Sequence, residues 1–271
     1  KLANSQSHVI IVDASTSRLF LFENENGTPR MKGDFYVTIG KNGTGKYTEG
    51  DQKTPIGVYF VTGFIPSEDL PDLYGDGAFP IDYPNDWDQR HGRTGYGIWL
   101  HGTPSTIYSR APKDSNGCVI VSNTDLNTLS HFIDEGKTPV IITNSINWVT
   151  KQNWESRSTN YNLFVEKWRQ DWESLDVNLY LRHYSKEYMG LGKDYNSWVE
   201  YKRRVIPMKK YIKVNLTNKS VFLYPDNPDL MVVTFLQDYA SDTFRRKFIK
   251  RQYWRMEDDG KWRIIYEGAA S

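Results

Sequence analysis

The chain has 271 residues, enough for one large or two modest domains, and its hydrophobic fraction of 38% can form a packed core. The net charge of +1 gives no bulk attraction to nucleic acid or to an anionic membrane surface. A single cysteine excludes a disulfide framework and a zinc site built on several cysteines. No apolar run reaches the roughly 18 residues that a membrane-spanning helix needs.

Short apolar runs in the first half of the chain predict β-strands. They cover residues 8–13, 18–23, 32–39, 58–62 and 139–142. One helix is predicted after an N-cap at 123–125, where apolar residues follow at helical spacing. Many short strands with a single helix predict a β-rich, sandwich-like domain.

Two polar stretches interrupt these strands. Residues 40–50 are rich in glycine but do not lead from a strand into a helix, so we expect a mobile rim of a site and not a phosphate loop. Residues 64–95 are long and irregular, which is typical of a lid or binding loop. The spacing of the possible metal ligands in this stretch matches neither a calcium loop nor a zinc motif, so we predict no metal site and no cofactor. The residues considered are Asp82, Asp86, Asp88 and His91.

The second half is rich in tryptophan and has a different order of elements. Tyr161, Phe164, Trp168 and Trp172 are spaced mostly three to four residues apart, which predicts a core-facing stripe on a helix over 160–175. Shorter helices are predicted at 177–188 and 195–205, and strands at 211–217, 220–224, 230–239, 244–256 and 261–267.

The only cysteine and a histidine stand at the two ends of one loop. An apolar run at 97–100 leads into His101, and another at 119–121 follows Cys118. If the loop folds back, the thiol meets an imidazole that can act as its base. An imidazolium lowers the pKa of a neighbouring thiol, so we expect an activated Cys118 and not an inert buried one.

Residues beside this pair can supply the rest of such a site. Gly117 permits a tight turn, in which the backbone N–H groups of Asn116, Gly117 and Cys118 form an oxyanion hole. The Gly102 carbonyl can fix the imidazole tautomer without a carboxylate. Further candidates, for substrate binding, are Lys53, Trp99, Arg110 and Ser115.

These residues resemble the catalytic domain of the YkuD-type L,D-transpeptidases. The family signature is a His-Gly-Thr-like turn, a loop, and Ser-X-Gly-Cys before an apolar strand, which residues 101–121 contain. Residues 53–59, KTPIGVY, are similar to a second family motif. The resemblance covers 7–145 and implies that Cys118 is the nucleophile, His101 the base and Gly102 the orienting carbonyl.

The sequence departs from many members of the family at Asn116, where they have histidine, and at Ile120, where they have arginine. The Ser-Asn-Gly-Cys variant is similar to a subgroup that includes the cell-shape L,D-carboxypeptidases of helical Gram-negative bacteria. This implies a peptidoglycan L,D-carboxypeptidase that removes the terminal D-alanine from stem tetrapeptides through a thioester on Cys118. L,D-transpeptidation is the alternative outcome of the same thioester.

Beyond a linker at 146–154, residues 155–271 resemble the NTF2-like fold, an α+β cone with a pocket. The resemblance depends on helices followed by a curved antiparallel sheet and on the terminal hairpin. A very basic strand at 244–251 is either a solvated strand face or part of a pocket for an acidic or sugar-like ligand, with Lys250 and Glu267 as candidate lining residues. This fold also serves for dimerisation, so fold alone does not fix its role.

The resemblance implies stem peptides of peptidoglycan as the partner and export to the periplasm, although no signal peptide precedes the first strand. A homodimer and cell-shape protein partners are further possibilities. The competing class of function is a non-catalytic module that binds or scaffolds the cell wall. A papain-like protease is excluded by order, because there the cysteine precedes the histidine.

Overall fold

The structure is a computed structural model that describes residues 1–270. It divides into two compact units, residues 4–147 and residues 148 onward, the latter joined by residues 1–3. Residues 1–3 join the later unit because the Val221 backbone N–H donates to the Lys1 carbonyl at 2.9 Å. None of the helices described over residues 1–270 is long and apolar enough to cross a membrane.

The first unit consists mainly of short strands. Its strands are β1 His8–Asp13, β2 Arg18–Glu25, β3 Thr28–Tyr36, β4 Ile39–Gly40, β5 Gly57–Phe60, β6 Ile65–Pro66, β7 Gly77–Pro80, β8 Trp99–His101, β9 Lys113–Ser115, β10 Val119–Ile120 and β11 Pro139–Thr143. Its α-helices are α1 Asp86–Arg90 and α2 Asn123–Ser130.

Two sheets and one helix enclose the core of this unit. One sheet has the strand order β3-β2-β1-β11-β5 and the other β10-β8-β7-β6. Ile10 and Ile142 from the first sheet share a buried cluster with Leu100 from the second and with Leu126 of α2. The predicted β-rich sandwich is therefore confirmed, and α2 is the predicted helix, capped by Ser122 in place of 123–125.

The second unit places helices before a long antiparallel sheet. Its elements are α3 Lys151–Glu173, α4 Val177–Leu181, β12 Met189–Gly190, β13 Lys193–Asp194, α5 Tyr195–Val205, β14 Ile212–Tyr224, β15 Asn227–Ser241, β16 Arg245–Met256 and β17 Trp262–Ala269. The last four strands form one sheet in sequential order. This is the predicted α+β order of helices followed by a sheet.

Three boundaries in this unit differ from the prediction. The helix α3 begins at Lys151, inside the predicted linker, where Thr150 caps it. Its first turns are mostly polar, so apolar spacing does not reveal them. The predicted strands 211–217 and 220–224 are one strand, β14, whose pairing with β15 shifts between Thr217 and Ser220. The helix predicted over 177–188 ends at Leu181.

Of the aromatic stripe predicted on α3, Trp168 and Trp172 face the core and the partly buried Tyr161 packs against it, whereas Phe164 is 38% exposed. Trp168 is fully buried, Trp172 is 6% exposed, and the Trp168 ring packs against Phe235 of β15 at 5.9 Å between centroids. Contact of a large apolar stripe with a sheet is what holds such a helix in place, because helix propensity alone contributes little.

We expect Trp168→Ala to lower the free energy of unfolding by about 3–5 kcal/mol, because it removes a large, fully buried side chain. Leu163→Ala lies on the same helix at a position that is 59% exposed and should change it by less than about 0.5 kcal/mol. Urea denaturation followed by far-UV circular dichroism measures both. Equal losses for the two variants would contradict this description of the core.

Candidate active site

Parallel pairing of two short strands brings the histidine and the cysteine together. Within the second sheet, β8 pairs with β10 so that Leu100 lies beside Val119 and His101 beside Ile120. Cys118 directly precedes Val119, so the thiol and the imidazole emerge on adjacent strands. The loop between the two residues folds back, as the sequence predicted.

The His101 imidazole is buried, with 3% of the residue surface exposed. Its Nδ1 lies 2.7 Å from the Gly102 carbonyl oxygen. Because a carbonyl only accepts hydrogen bonds, Nδ1 carries the proton and Nε2 keeps a lone pair. Burial lowers the pKa of His101 to about 4; the Gly102 carbonyl opposes this shift and the Arg110 charge adds to it. The imidazole is therefore neutral at pH 7 and can accept a proton at Nε2.

The Cys118 thiol is also neutral at rest. The residue is partly exposed, and its Sγ–H donates to the Gly97 carbonyl at 3.3 Å. Burial raises the pKa of Cys118, against smaller opposing effects of the Trp99 backbone N–H and the Lys46 charge. The expected lowering of the thiol pKa by an imidazolium was wrong, because burial keeps both groups uncharged.

Ser115 shapes the turn that presents the thiol. Its buried hydroxyl donates to the Cys118 carbonyl at 2.7 Å and accepts the Gly117 backbone N–H at 3.0 Å. Both partners lie within the turn, which removes Ser115 from the predicted substrate-binding set. The Gly117 N–H points at Ser115 and so leaves the predicted oxyanion hole, of which the N–H groups of Asn116 and Cys118 remain.

The KTPIGVY segment, residues 53–59, packs against this turn. Thr54 is fully buried; its hydroxyl donates to the Gly117 carbonyl at 2.9 Å and accepts the Gly40 N–H at 2.9 Å. Gly117 has a φ of +128°, and a Cβ there would lie 2.8 Å from the Lys53 carbonyl oxygen. Only glycine fits this close approach. The KTPIGVY segment and the Ser-Asn-Gly-Cys turn therefore pack together only with glycine at position 117.

The other predicted substrate-binding residues, Lys53, Trp99 and Arg110, differ in whether another side chain already pairs with them. The Arg110 Nε donates to Asp114 at 3.1 Å, which neutralises part of its charge. Among residues 1–270 no carboxylate pairs with the Lys53 ammonium, so Lys53 remains a candidate for a substrate carboxylate. The Trp99 ring packs against Tyr74 at 4.9 Å between centroids.

Lys46 is a buried cation near the thiol that the sequence did not reveal. It is 4% exposed, and its Nζ donates to Asp51 at 2.9 Å and to the Thr48 carbonyl at 3.0 Å. Burial favours a protonated Asp51, but hydrogen bonds, including those from Tyr47, Lys46 and Lys53, outweigh it and lower its pKa to about 2. The loop expected to be a mobile rim is thus tied together by one carboxylate.

Two further residues hold the histidine turn and were also missed. The Tyr74 ring meets the imidazole of His101 edge-on at 5.0 Å between centroids, and its carbonyl accepts the Gly102 N–H at 3.0 Å. The Asn123 side chain bonds to the backbone of Thr103 in both directions. These contacts join segments far apart in the chain, so no local sequence pattern predicts them.

No metal centre is found in the part of the chain that the structure describes, where no three His, Cys, Asp or Glu side chains gather closely enough to hold an ion. In the acidic loop, Asp88 is fully buried and pairs with Arg93 at 2.7 Å. Asp82 accepts the Phe60 backbone N–H at 2.7 Å. Both carboxylates therefore have structural partners.

The second unit contains a cavity of about 600 Å³. Lys250 lines it, and its Nζ pairs with Glu267 at 3.0 Å. Glu267 was predicted to line the cavity but does not. It is fully buried and is the counter-ion of Lys250. Among the described residues that line the cavity, five are cations and none is a carboxylate. The cations are Lys193, Lys202, Lys209, Arg246 and Lys250.

Several polar atoms in the wall of this cavity are buried without a partner. Among residues 1–270, no hydrogen bond reaches the indole Nε1 of Trp172, that of Trp198, or the Oε1 of Gln237. The Lys202 ammonium lies 4.4 Å from the Trp198 ring centroid and 4.8 Å from that of Trp172. Burial lowers the pKa of Lys202 to about 7, with Glu267 opposing the shift and Lys250 adding to it.

Comparison with known proteins assigns both units. The family model of the L,D-transpeptidase catalytic domain, YkuD, matches residues 7–142, and that of the Cds6 C-terminal NTF2-like domain matches residues 151–268. The chain belongs to the YkuD family of L,D-transpeptidases, whose members act on peptidoglycan, and carries an NTF2-like domain after the catalytic one. Both predicted resemblances are confirmed.

Solved structures extend the likeness over both units. Bd1075 of Bdellovibrio bacteriovorus is 32% identical, with 99% of this chain and 93% of that chain covered and a TM-score of 0.85. Pgp2 of Campylobacter jejuni, a helical cell shape determining protein, is 23% identical over 97% of this chain and 91% of its own, with a TM-score of 0.82. The Pgp2 likeness shows the fold alone. No curated protein matches the chain.

We expect iodoacetamide to alkylate Cys118 at pH 7 more slowly than it alkylates the same thiol in the urea-unfolded chain. The raised pKa of Cys118 leaves less of the reactive thiolate, so the rate should climb only in the alkaline range. Intact mass gives the rate at a defined site, because the chain has one cysteine. A fast rate that is already constant between about pH 5 and 7 would reveal a thiolate–imidazolium pair and contradict this.

Proposed function

We propose that the protein is a peptidoglycan L,D-carboxypeptidase that uses Cys118 as nucleophile and His101 as base. The observation that carries the proposal is the neutral imidazole, with Nδ1 tied to the Gly102 carbonyl at 2.7 Å and Nε2 left as a base. The strand next to it presents the thiol. A thiol beside a base that a third group orients is the arrangement used for covalent catalysis.

The substrate is a stem tetrapeptide with a diamino acid third and D-alanine last. As Sγ attacks the carbonyl that joins these two residues, its proton passes to Nε2 of His101. The carbonyl oxygen becomes an oxyanion, which the backbone N–H groups of Asn116 and Cys118 stabilise. The imidazolium then protonates the departing amine of D-alanine, the C–N bond breaks, and a thioester remains on Cys118.

Water resolves the thioester in the proposed reaction. His101 takes a proton from the water, the hydroxide adds to the thioester carbonyl, and the C–S bond breaks to release the tripeptide and regenerate the thiol. Attack by the amine of a second peptide instead would give L,D-transpeptidation. The Ser-Asn-Gly-Cys motif at 115–118 resembles that of the cell-shape L,D-carboxypeptidases and favours hydrolysis. Membership of a family that acts on peptidoglycan favours a periplasmic location.

Incubating the protein with tetrapeptide muropeptides should yield tripeptides and free D-alanine, identified by mass. Cys118→Ala should abolish the product, and His101→Ala should lower the rate by at least about a hundredfold, because general base catalysis contributes that much. His131→Ala is the matched control, since His131 is exposed.

Two outcomes would contradict the proposal in different ways. Cross-linked dimers in place of tripeptides would assign the enzyme to transpeptidation. Full turnover by Cys118→Ala would show that Cys118 is not the nucleophile, and no turnover by the wild type would favour the class of non-catalytic modules.

For the second unit we propose that the cavity lined by Lys250 binds an acidic, sugar-like ligand. The supporting observation is the lining of the cavity, which among the described residues includes five lysine or arginine side chains and no carboxylate. The cationic lining of the cavity favours a carboxylate, and its aromatic walls favour a sugar face.

Cys118→Ala protein should bind N-acetylmuramic acid more tightly than neutral N-acetylglucosamine, as measured by calorimetry. The Lys202 pKa of about 7 means that this amine is charged below pH 7 and neutral above it. Affinity for the acid should therefore fall as pH rises through 7, by about tenfold if one charge-assisted hydrogen bond is lost. Lys202→Met should remove this pH dependence. Equal affinity for the two sugars at all pH values would contradict the proposal.

A further inference from the structure

The side chain of Asn123 joins three segments at the histidine turn. Its Oδ1 accepts the backbone N–H of Thr103 at 3.1 Å and that of Asp76 at 3.2 Å, and its Nδ2 donates to the Thr103 carbonyl at 2.9 Å. Two backbone donors and one backbone acceptor fix which end of the amide is oxygen. One side chain thus completes the hydrogen bonds of the residue that follows His101-Gly102.

The amide fits between two glycines. A Cβ on Gly102 would lie 2.0 Å from the Asn123 Oδ1, and a Cβ on Gly75 would lie 2.1 Å from it. The Gly102 N–H also donates to the Tyr74 carbonyl at 3.0 Å. The Gly102 residue is therefore held on its N–H side by Tyr74 and on its far side by Asn123, which leaves its carbonyl aimed at His101.

We propose that Asn123 is a positioning residue that holds the Gly102 carbonyl against Nδ1 of His101 and so keeps the Nε2 lone pair available as the base. The inference builds on the proposed role of His101. Asn123 itself touches neither the thiol nor the imidazole in any described contact, so its effect passes through the Gly102 carbonyl. Without it, the turn can rotate, the carbonyl leaves Nδ1, and both tautomers of the imidazole become populated.

The test compares Asn123→Ala with Asn127→Ala. Asn127 lies one turn further along α2 and donates to the Asp76 side chain at 2.7 Å, so its variant removes a hydrogen bond between the same helix and the same loop. Asn123→Ala should lower kcat for tripeptide release by roughly a hundredfold, the cost of small misplacements at an active site, with little change in KM. Asn127→Ala should retain the wild-type kcat.

A direct readout does not depend on turnover. ¹⁵N NMR of the imidazole should show the Nδ1–H tautomer in the wild-type protein and in Asn127→Ala, and a mixture in Asn123→Ala. The His101 pKa should also move from about 4 towards its ordinary value as the turn opens. Asn123→Asp keeps the oxygen that accepts the two backbone N–H groups and should fall between Asn123→Ala and the wild type.

The outcomes separate the two proposals. An unchanged tautomer in Asn123→Ala would overturn the role of Asn123, whatever happens to kcat, because loss of stability alone does not select a tautomer. If the wild type released no tripeptide, the carboxypeptidase proposal would fail, while the NMR spectra would still decide whether Asn123 positions the Gly102 carbonyl.

Discussion

The hydrogen bond from Nδ1 of His101 to the Gly102 carbonyl, 2.7 Å long, determines what the rest of the active site can do. It assigns the proton to one ring nitrogen and leaves the other as a base. A carboxylate in the same place would stabilise an imidazolium and draw the thiol proton away before substrate arrives. Here burial keeps the thiol and the imidazole uncharged, and the neutral Gly102 carbonyl opposes the shift of the His101 pKa only in part.

The surrounding structure supports this choice through backbone groups more than through charges. Ser115 and Thr54 hold the cysteine turn, and Tyr74 and Asn123 hold the histidine turn, all through hydrogen bonds to the main chain. The buried cation Lys46 has its own counter-ion in Asp51. Internal hydrogen bonds thus hold both turns of the active site, whereas the cavity of the second unit is lined by five cations and, among the described residues, by no carboxylate. This contrast suits a rigid catalytic centre and a binding site that a ligand completes.

The sequence was sufficient to predict that His101 and Cys118 lie close together, because each borders an apolar run, and these two runs pair as adjacent strands. It was insufficient for their protonation states, which depend on burial by segments far away in the chain. In the second unit, Tyr180, Tyr184 and Tyr188 follow helical spacing, yet α4 ends at Leu181. Tyr184 reaches the core from a β-bridge with Ile264, and Tyr188 from the loop that follows. The predicted break between strands 211–217 and 220–224 is instead a bulge within β14, where Asn218 has a φ of +50°.

A protonated Cys118 also affects how readily peroxides oxidise the protein. Peroxides react with the thiolate, and oxidation proceeds from sulfenic acid to irreversible sulfinic and sulfonic acids. The chain has no second cysteine to resolve a sulfenic acid as a disulfide, so damage at this sulfur could not be reversed within the molecule. The burial that withholds the resting thiolate therefore protects the proposed nucleophile from oxidation.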